Sequence, residues 1–319
     1  MKNLAEQEPQ APPGIIATLT AGFELTTAHL WLVLLPIILD VVYWLGPRLG
    51  IVQLSGRLLS PLLEEPAAQD AVTQVIEMAS EINVLTSLSV PIIGVPALMG
   101  GVAPEQTPLP VQVYQLDSTW SLLVLQVGLT LVGLLLTAIY LSLISLAIQK
   151  NGDRPGSPAA FVTSALRSAV RLFGLGLIFL VALIVVWVPL LPVAFVASLL
   201  AGVLAMYVML GGVVLVVTYL SMSVPGIVLK GRPLLLSVWE SVRLVRGNAL
   251  QTVSLLLGVM LVGGGTNQLW RMADDGSWLT IVSIAGHAFI STGLVAAIFV
   301  YYRDRWAYAH AQLNQLDRT

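Results

Sequence analysis

The chain of 319 residues contains no cysteine, which removes disulfides, thiolate nucleophiles and cysteine-based metal sites together. Charge is scarce as well: 10% of residues are Asp, Glu, Lys or Arg, against about 25% in soluble globular domains. A net charge of -2 offers no basic surface for nucleic acid. The three histidines, His29, His287 and His310, lie far apart and do not suggest a metal site. No glycine-rich phosphate loop follows a strand, and neither a G-x-S-x-G elbow nor an H-E-x-x-H pair occurs. The expectation is therefore no enzyme, no cofactor, no metal and no nucleic-acid partner.

What the chain has instead is apolar surface: 57% hydrophobic residues and a mean hydropathy of +0.88. That composition predicts an all-α polytopic membrane bundle of about six transmembrane helices. Residues 1–14 set Lys2 against Glu6 and Glu8, unlike a cleaved signal peptide, so the first span is expected to be an uncleaved anchor. Ile15, Ile16, Leu19, Phe23, Thr26 and Leu30 share a helical face, with Glu24 opposite, which predicts an amphipathic interfacial helix over 15–29. A short first span over 30–44 ends at Gly46-Pro47-Arg48.

Residues 48–118 are acidic, with Glu64, Glu65, Asp70, Glu77, Glu81, Glu105 and Asp117 against Arg48 and Arg57. They read as a large extracytoplasmic insertion. Within it 84–98 is apolar but interrupted by Pro91, Gly94 and Pro96, so it cannot be a continuous spanning helix; it either packs on the outer rim or dips into the bilayer. A second span covers 120–148, and Lys150 to Gly156 make a polar turn.

A second amphipathic helix after Pro158 carries Phe161, Val162, Ala165, Leu166, Ala169 and Leu172 on one face and Arg167 and Arg171 on another. Spans over 172–188 and 193–219 are expected to be joined by a tight turn at Pro189-Leu190-Leu191-Pro192, with Gly211-Gly212 admitting a close neighbour. The stretch 233–257 again couples an amphipathic helix to a span: Leu235, Val238, Val242, Val245 and Ala249 form one stripe. A bend is predicted near Gly247, with 233–245 lying along the cytoplasmic face. The sixth span, 279–302, ends at Arg303-Asp304-Arg305 before a short tail.

Placing the termini and the loops near 150 and 230 in the cytoplasm puts twelve of the fifteen Lys and Arg residues inside and only Arg48, Arg57 and Arg271 outside. Trp44, Trp120, Trp187, Trp270 and Trp278 then fall at outer ends, and Trp31, Trp239 and Trp306 at inner ones, as in aromatic belts. This assigns the chain to the cell membrane, as in a bacterial inner membrane.

Starts at Pro13, Pro158 and Pro233 are 145 and 75 residues apart, and the difference is close to the length of the insertion. The chain is accordingly read as a threefold parallel repeat: 1–148, carrying the insertion 48–118; 149–228; and 229–319 with the tail. Arg167 aligns with Arg243, and His29 with Asn248. The pattern Leu236-Ser237-Val238-Trp239-Glu240-Ser241, then Val245-Arg246-Gly247-Asn248, running into a leucine-rich span, resembles the membrane domain that accompanies some bacterial glycerophosphodiester phosphodiesterases. It also resembles related uncharacterised six-span families. The resemblance covers residues 155–305 best and implies an architecture, since its motifs carry no catalytic residue.

Two ionisable residues fall inside spans, Asp40 and His287, and such residues are functional candidates by default. Their depths allow a pair lining a polar cavity; otherwise Asp40 reaches headgroups and His287 bonds a carbonyl. Arg167, Arg171, Arg243 and Arg246 are the headgroup-binding candidates, and Asp274-Asp275 reads as solvated acidic surface. The leading expectation is a non-enzymatic, lipid-associated scaffold or accessory subunit of a membrane complex. Its partners would be the bilayer and a membrane protein docked on the acidic insertion. The alternative is a small transporter or lipid translocator with a polar site near Asp40 and His287.

Overall fold

The structure, a computed structural model, describes residues 11–64, 69–90, 93–101, 104, 106–149, 157–200, 202–272 and 275–316. The polar turn expected at 150–156, together with Glu65, Glu105 and Asp274, lies outside them. The fold is all-α: five described helices are long and apolar enough to cross a membrane, and a sixth span results if the bent pair at the N-terminal end counts as one. The chain is a membrane protein. Its residues fall into two compact units, one of 1–25, 141–261 and 293–319, the other of 26–140 and 262–292.

Helix α1 (Ile15–Ala28) ends where the sequence places the first junction. His29 leaves helical geometry at φ -135°, and the chain turns by 92° into a 3-10 turn (Leu30–Val33) and α2 (Leu34–Leu45). Strand β1 (Arg48–Gly50) opens the 48–118 segment, which is folded where the sequence reads as a polar loop. It holds α3 (Val52–Leu59), α4 (Gln69–Ser80), a 3-10 turn (Val84–Leu88) and β2 (Val113–Gln115), which pairs in parallel with β1. The strands close the segment at its base, and buried Asn83 braces them by accepting the Leu49 and Leu85 amides. The 84–98 stretch is not a continuous helix. Its Leu88 backbone lies against α5 (Thr119–Ile148) at Gly133, where a Cβ would come within 2.5 Å of the Leu88 carbonyl oxygen.

The hairpin of the third and fourth spans differs from the expectation. Helix α6 (Pro158–Leu200) is one helix of 43 residues that passes through both Pro189 and Pro192, and α7 begins at Gly202 (Gly202–Leu220). Each proline deletes one i to i-4 bond, and membrane helices tolerate this where neighbouring groups re-satisfy the backbone. At about 64 Å of helical rise, α6 is twice the hydrocarbon thickness, and what reads as an amphipathic helix plus a span is one continuous helix. Gly212 of α7 faces α6, where a Cβ would meet side-chain atoms of Leu190, Val186 and Trp187 at 3.0–3.3 Å, whereas Gly211 faces open space.

Helix α8 (Ser223–Lys230) closes on Gly231 in the left-handed region (φ 61°), the C-terminal position that glycine fills without a Cβ clash. Helix α9 (Leu234–Gly247) then breaks at Asn248 (φ -136°) before α10 (Ala249–Trp270), the break expected near Gly247. The last helix, α11 (Thr280–Leu316), continues 14 residues past the expected end of the sixth span at 302.

Helices α1 and α9 bury matching steps. Thr18, Gly22 and Thr26 are buried at four-residue spacing ahead of His29, and Ser237, Ser241 and Val245 at the same spacing ahead of Asn248. The aliphatic side chains turn away, Ile16 being 81% and Leu235 76% exposed. Small residues face protein because they let backbones approach, and without a hydrophobic drive between helices in lipid the large apolar ones need not be inside. The approach is close at Gly22, which packs on Gly293 and Ala297 of α11, and at Ser241, whose hydroxyl donates to the Tyr219 carbonyl.

Candidate functional site

Asp40 sits one turn before the end of α2, with no exposed surface. A carboxylate in an apolar helix needs hydrogen-bond donors to offset its desolvation. The donors come from the 48–118 segment: the Leu98 amide gives its hydrogen to Oδ2 at 2.9 Å and the Met99 amide to Oδ1 at 2.7 Å. Arg271, at the end of α10, donates from Nη2 to the Leu98 carbonyl at 2.9 Å, so the same peptide is held from both sides. Asp40 therefore neither reaches toward headgroups nor lacks a partner. Arg271 is the charged neighbour common to Asp40 and His287.

The next residues of α2 extend the tie. Tyr43 donates to the Ser89 hydroxyl at 3.2 Å, and Ser89 donates to the Val95 carbonyl at 3.1 Å. Trp44, placed by its sequence position in an outer aromatic belt, is instead fully buried. Its indole N–H donates to the Asp275 carbonyl at 2.8 Å, and its ring meets Trp278 edge to face at 5.8 Å. A buried ring with a satisfied donor and an aromatic neighbour is a core residue rather than a belt residue. At the base of the segment, burial lowers the Arg48 guanidinium from its ordinary value and the Asp275 charge opposes that shift.

His287 lies half-buried on α11, and its backbone carbonyl accepts the Ser291 hydroxyl at 2.6 Å. The structure gives no bond between His287 and Asp40. The four arginine candidates have separate surroundings. Arg171 donates to the Gly231 carbonyl at 2.7 Å, tying α6 to the turn between α8 and α9, while Arg167, Arg243 and Arg246 are exposed. Among the described residues no cluster of His, Asp and Glu is arranged to hold a metal.

Chemically, a carboxylate with both oxygens engaged by fixed amides is an anchor. In Arg271→Gln the Leu98 carbonyl loses a charge-assisted donor and Asp40 loses a neighbouring positive charge. The expected cost is about 2 kcal/mol, read as a lower unfolding midpoint in lipid nanodiscs; an unchanged midpoint removes Arg271 from the tie.

No family model matches the chain, and no curated protein or solved structure does either.

Proposed function

We propose that this protein is a non-enzymatic, lipid-associated scaffold or accessory subunit of a membrane complex, and that it docks a membrane-protein partner on the 48–118 segment. The observation that carries this reading is the outer face of α4. Val72 and Ala79 are buried, whereas Val75 and Met78 are 42% and 58% exposed and Ile82, just past the helix end, is 46% exposed, an apolar stripe beside Asp70, Glu77 and Glu81. The segment that presents this stripe is folded and pinned to α2 through Asp40, so its helices are held in place before any partner arrives. Preorganisation of that kind lowers the ordering cost of association.

Asp40 favours the anchored-segment reading over the transporter alternative, since each of its oxygens accepts a backbone amide of the 48–118 segment. The positive-inside pattern supports cytoplasmic termini in a bacterial inner membrane, and the resemblance to phosphodiesterase-associated membrane domains fits an accessory role. The corresponding burial in α1 and α9 supports the repeat over at least its first and third copies.

Photo-crosslinking amino acids placed at Val75, Met78 and Ile82 in the native host are expected to capture one membrane protein at fixed stoichiometry, with the same group at exposed Val181 of α6 capturing lipid. Capture of lipid alone, or of nothing, at all three positions refutes the docking surface.

A further inference from the structure

From Leu172 to Leu229 the sequence holds no Asp, Glu, Lys, Arg or His. This run forms a hairpin, α6 running out to Leu200 and α7 followed by α8 returning from Gly202. The base of the hairpin is polar. There Arg171 donates to the Gly231 carbonyl at 2.7 Å, and Lys230 lies 4.2 Å from the centre of the Trp306 ring. Away from the base, Leu177, Leu191, Phe195 and Met206 are each at least half exposed. The main packing of α6 and α7 is on each other, with α8 and α9 against them.

The tip cannot stay in hydrocarbon, because one helix ends and the next begins there. The last carbonyls of α6 and the first amides of α7 have no partner within their own helices, and lipid chains offer none. Both ends of the hairpin therefore belong at polar levels. The apolar length between them, from Leu172 to Leu200, is about 43 Å at 1.5 Å per residue, against about 30 Å of hydrocarbon. Helix α10, at 22 residues, is about 33 Å long and fits. Standing upright, the hairpin would push the Phe195 and Met206 side chains out of hydrocarbon, which their apolar surface opposes. An overlong apolar segment instead tilts, kinks or thickens the bilayer around it.

We propose that the α6–α7 hairpin is a thickness-responsive arm, covered by lipid hydrocarbon to its tip. It lies inclined by about 45° in a bilayer of ordinary thickness, the angle at which about 43 Å projects onto about 30 Å, and rises toward the normal as acyl chains lengthen. Pro189 and Pro192 each delete an internal hydrogen bond partway along α6, and helices bend most readily at such points. Trp187, about 24 Å along the axis from Arg171, then projects to about 17 Å, near the bilayer midplane rather than in an outer belt. The arm stands independently of the docking surface on α4.

The absence of cysteine allows single nitroxide labels at Leu177→Cys and Phe195→Cys, both exposed positions, about 27 Å apart along α6. Their depths are read from accessibility to oxygen and to a water-soluble nickel reagent, in phosphatidylcholine bilayers with chains of eighteen, twenty-two and twenty-four carbons. In the thinnest of these the two labels are expected about 19 Å apart along the membrane normal. Labels at Leu250→Cys and Leu269→Cys, nearly the same distance apart on α10, are expected close to their full axial separation. With longer chains the α6 separation keeps growing after that on α10 has levelled off. A separation of about 27 Å on α6 already at eighteen carbons, or equal separations on the two helices throughout, overturns the proposal. So does a Phe195 label shielded from both reagents and dipole-coupled to its copy in a second chain, which assigns the tip to self-association.

Discussion

Asp40→Ala is expected to destabilise the protein by about 2–4 kcal/mol, since each buried amide left without an acceptor costs about 1–3 kcal/mol. Its two oxygens accept the Leu98 and Met99 amides, and truncation leaves both amides buried without acceptors. Arg271 loses a neighbouring acidic group as well, though it keeps its bond to the Leu98 carbonyl. Loss of the tie releases the 48–118 segment from α2 before the spans come apart. Limited proteolysis within that segment should therefore accelerate at temperatures where the helices remain intact. Asp40→Asn keeps one acceptor but turns an amide donor toward the second backbone N–H, so its loss is smaller and of the same sign. A melting profile and cleavage rate for Asp40→Ala that match the wild type eliminate the anchor.

Gly22→Ala has the second large effect, for a steric reason. A Cβ there lies 2.4 Å from the Gly293 carbonyl oxygen and 2.6 Å from the Ala297 amide nitrogen, both backbone atoms that cannot rotate aside. Helix α1 must shift from α11, and overpacking of this kind costs about 1–3 kcal/mol. The informative comparison is Gly258→Ala, whose Cβ meets only the Leu19 methyl at 3.7 Å. There the gain in helix propensity, about 0.5–1 kcal/mol, is unopposed, and the unfolding midpoint rises. Opposite signs for the two alanines on one melting assay establish that α1 is held by backbone proximity. Equal effects contradict it.

The parts of this fold legible from sequence are those governed by local composition. Long apolar runs gave α5 and α10, and loss of apolar periodicity located the junctions at His29 and Asn248, both of which break helical geometry at nearly the same φ. Pro189 and Pro192 read as a turn because proline is weighed as a helix stop by reference to water, where freed carbonyls are solvated, whereas α6 continues through both. Inside α6 the cost is two missing bonds in a 43-residue helix. The strands β1 and β2 are three residues each, too short to show alternation, and pair across the whole segment between them.

The site was half legible. Asp40 stands out as an ionisable residue in an apolar helix, but its partners are backbone amides 58 and 59 residues away, and a backbone donor leaves no mark in sequence. Arg271 reads as a loop charge until Leu98 is seen beside it. Trp44 misleads in the same way: position in the chain places it at a helix end, and only tertiary packing puts Trp278 and the Asp275 carbonyl around it.

The proposed scaffold role is tested most directly by the mass of the assembly excised from native membrane with a polymer, without detergent. The predicted particle contains this chain and a different membrane protein at a fixed ratio, and the partner dissociates when Met78 is replaced by glutamate. A particle holding only this chain and its lipids, alone or self-associated, contradicts it.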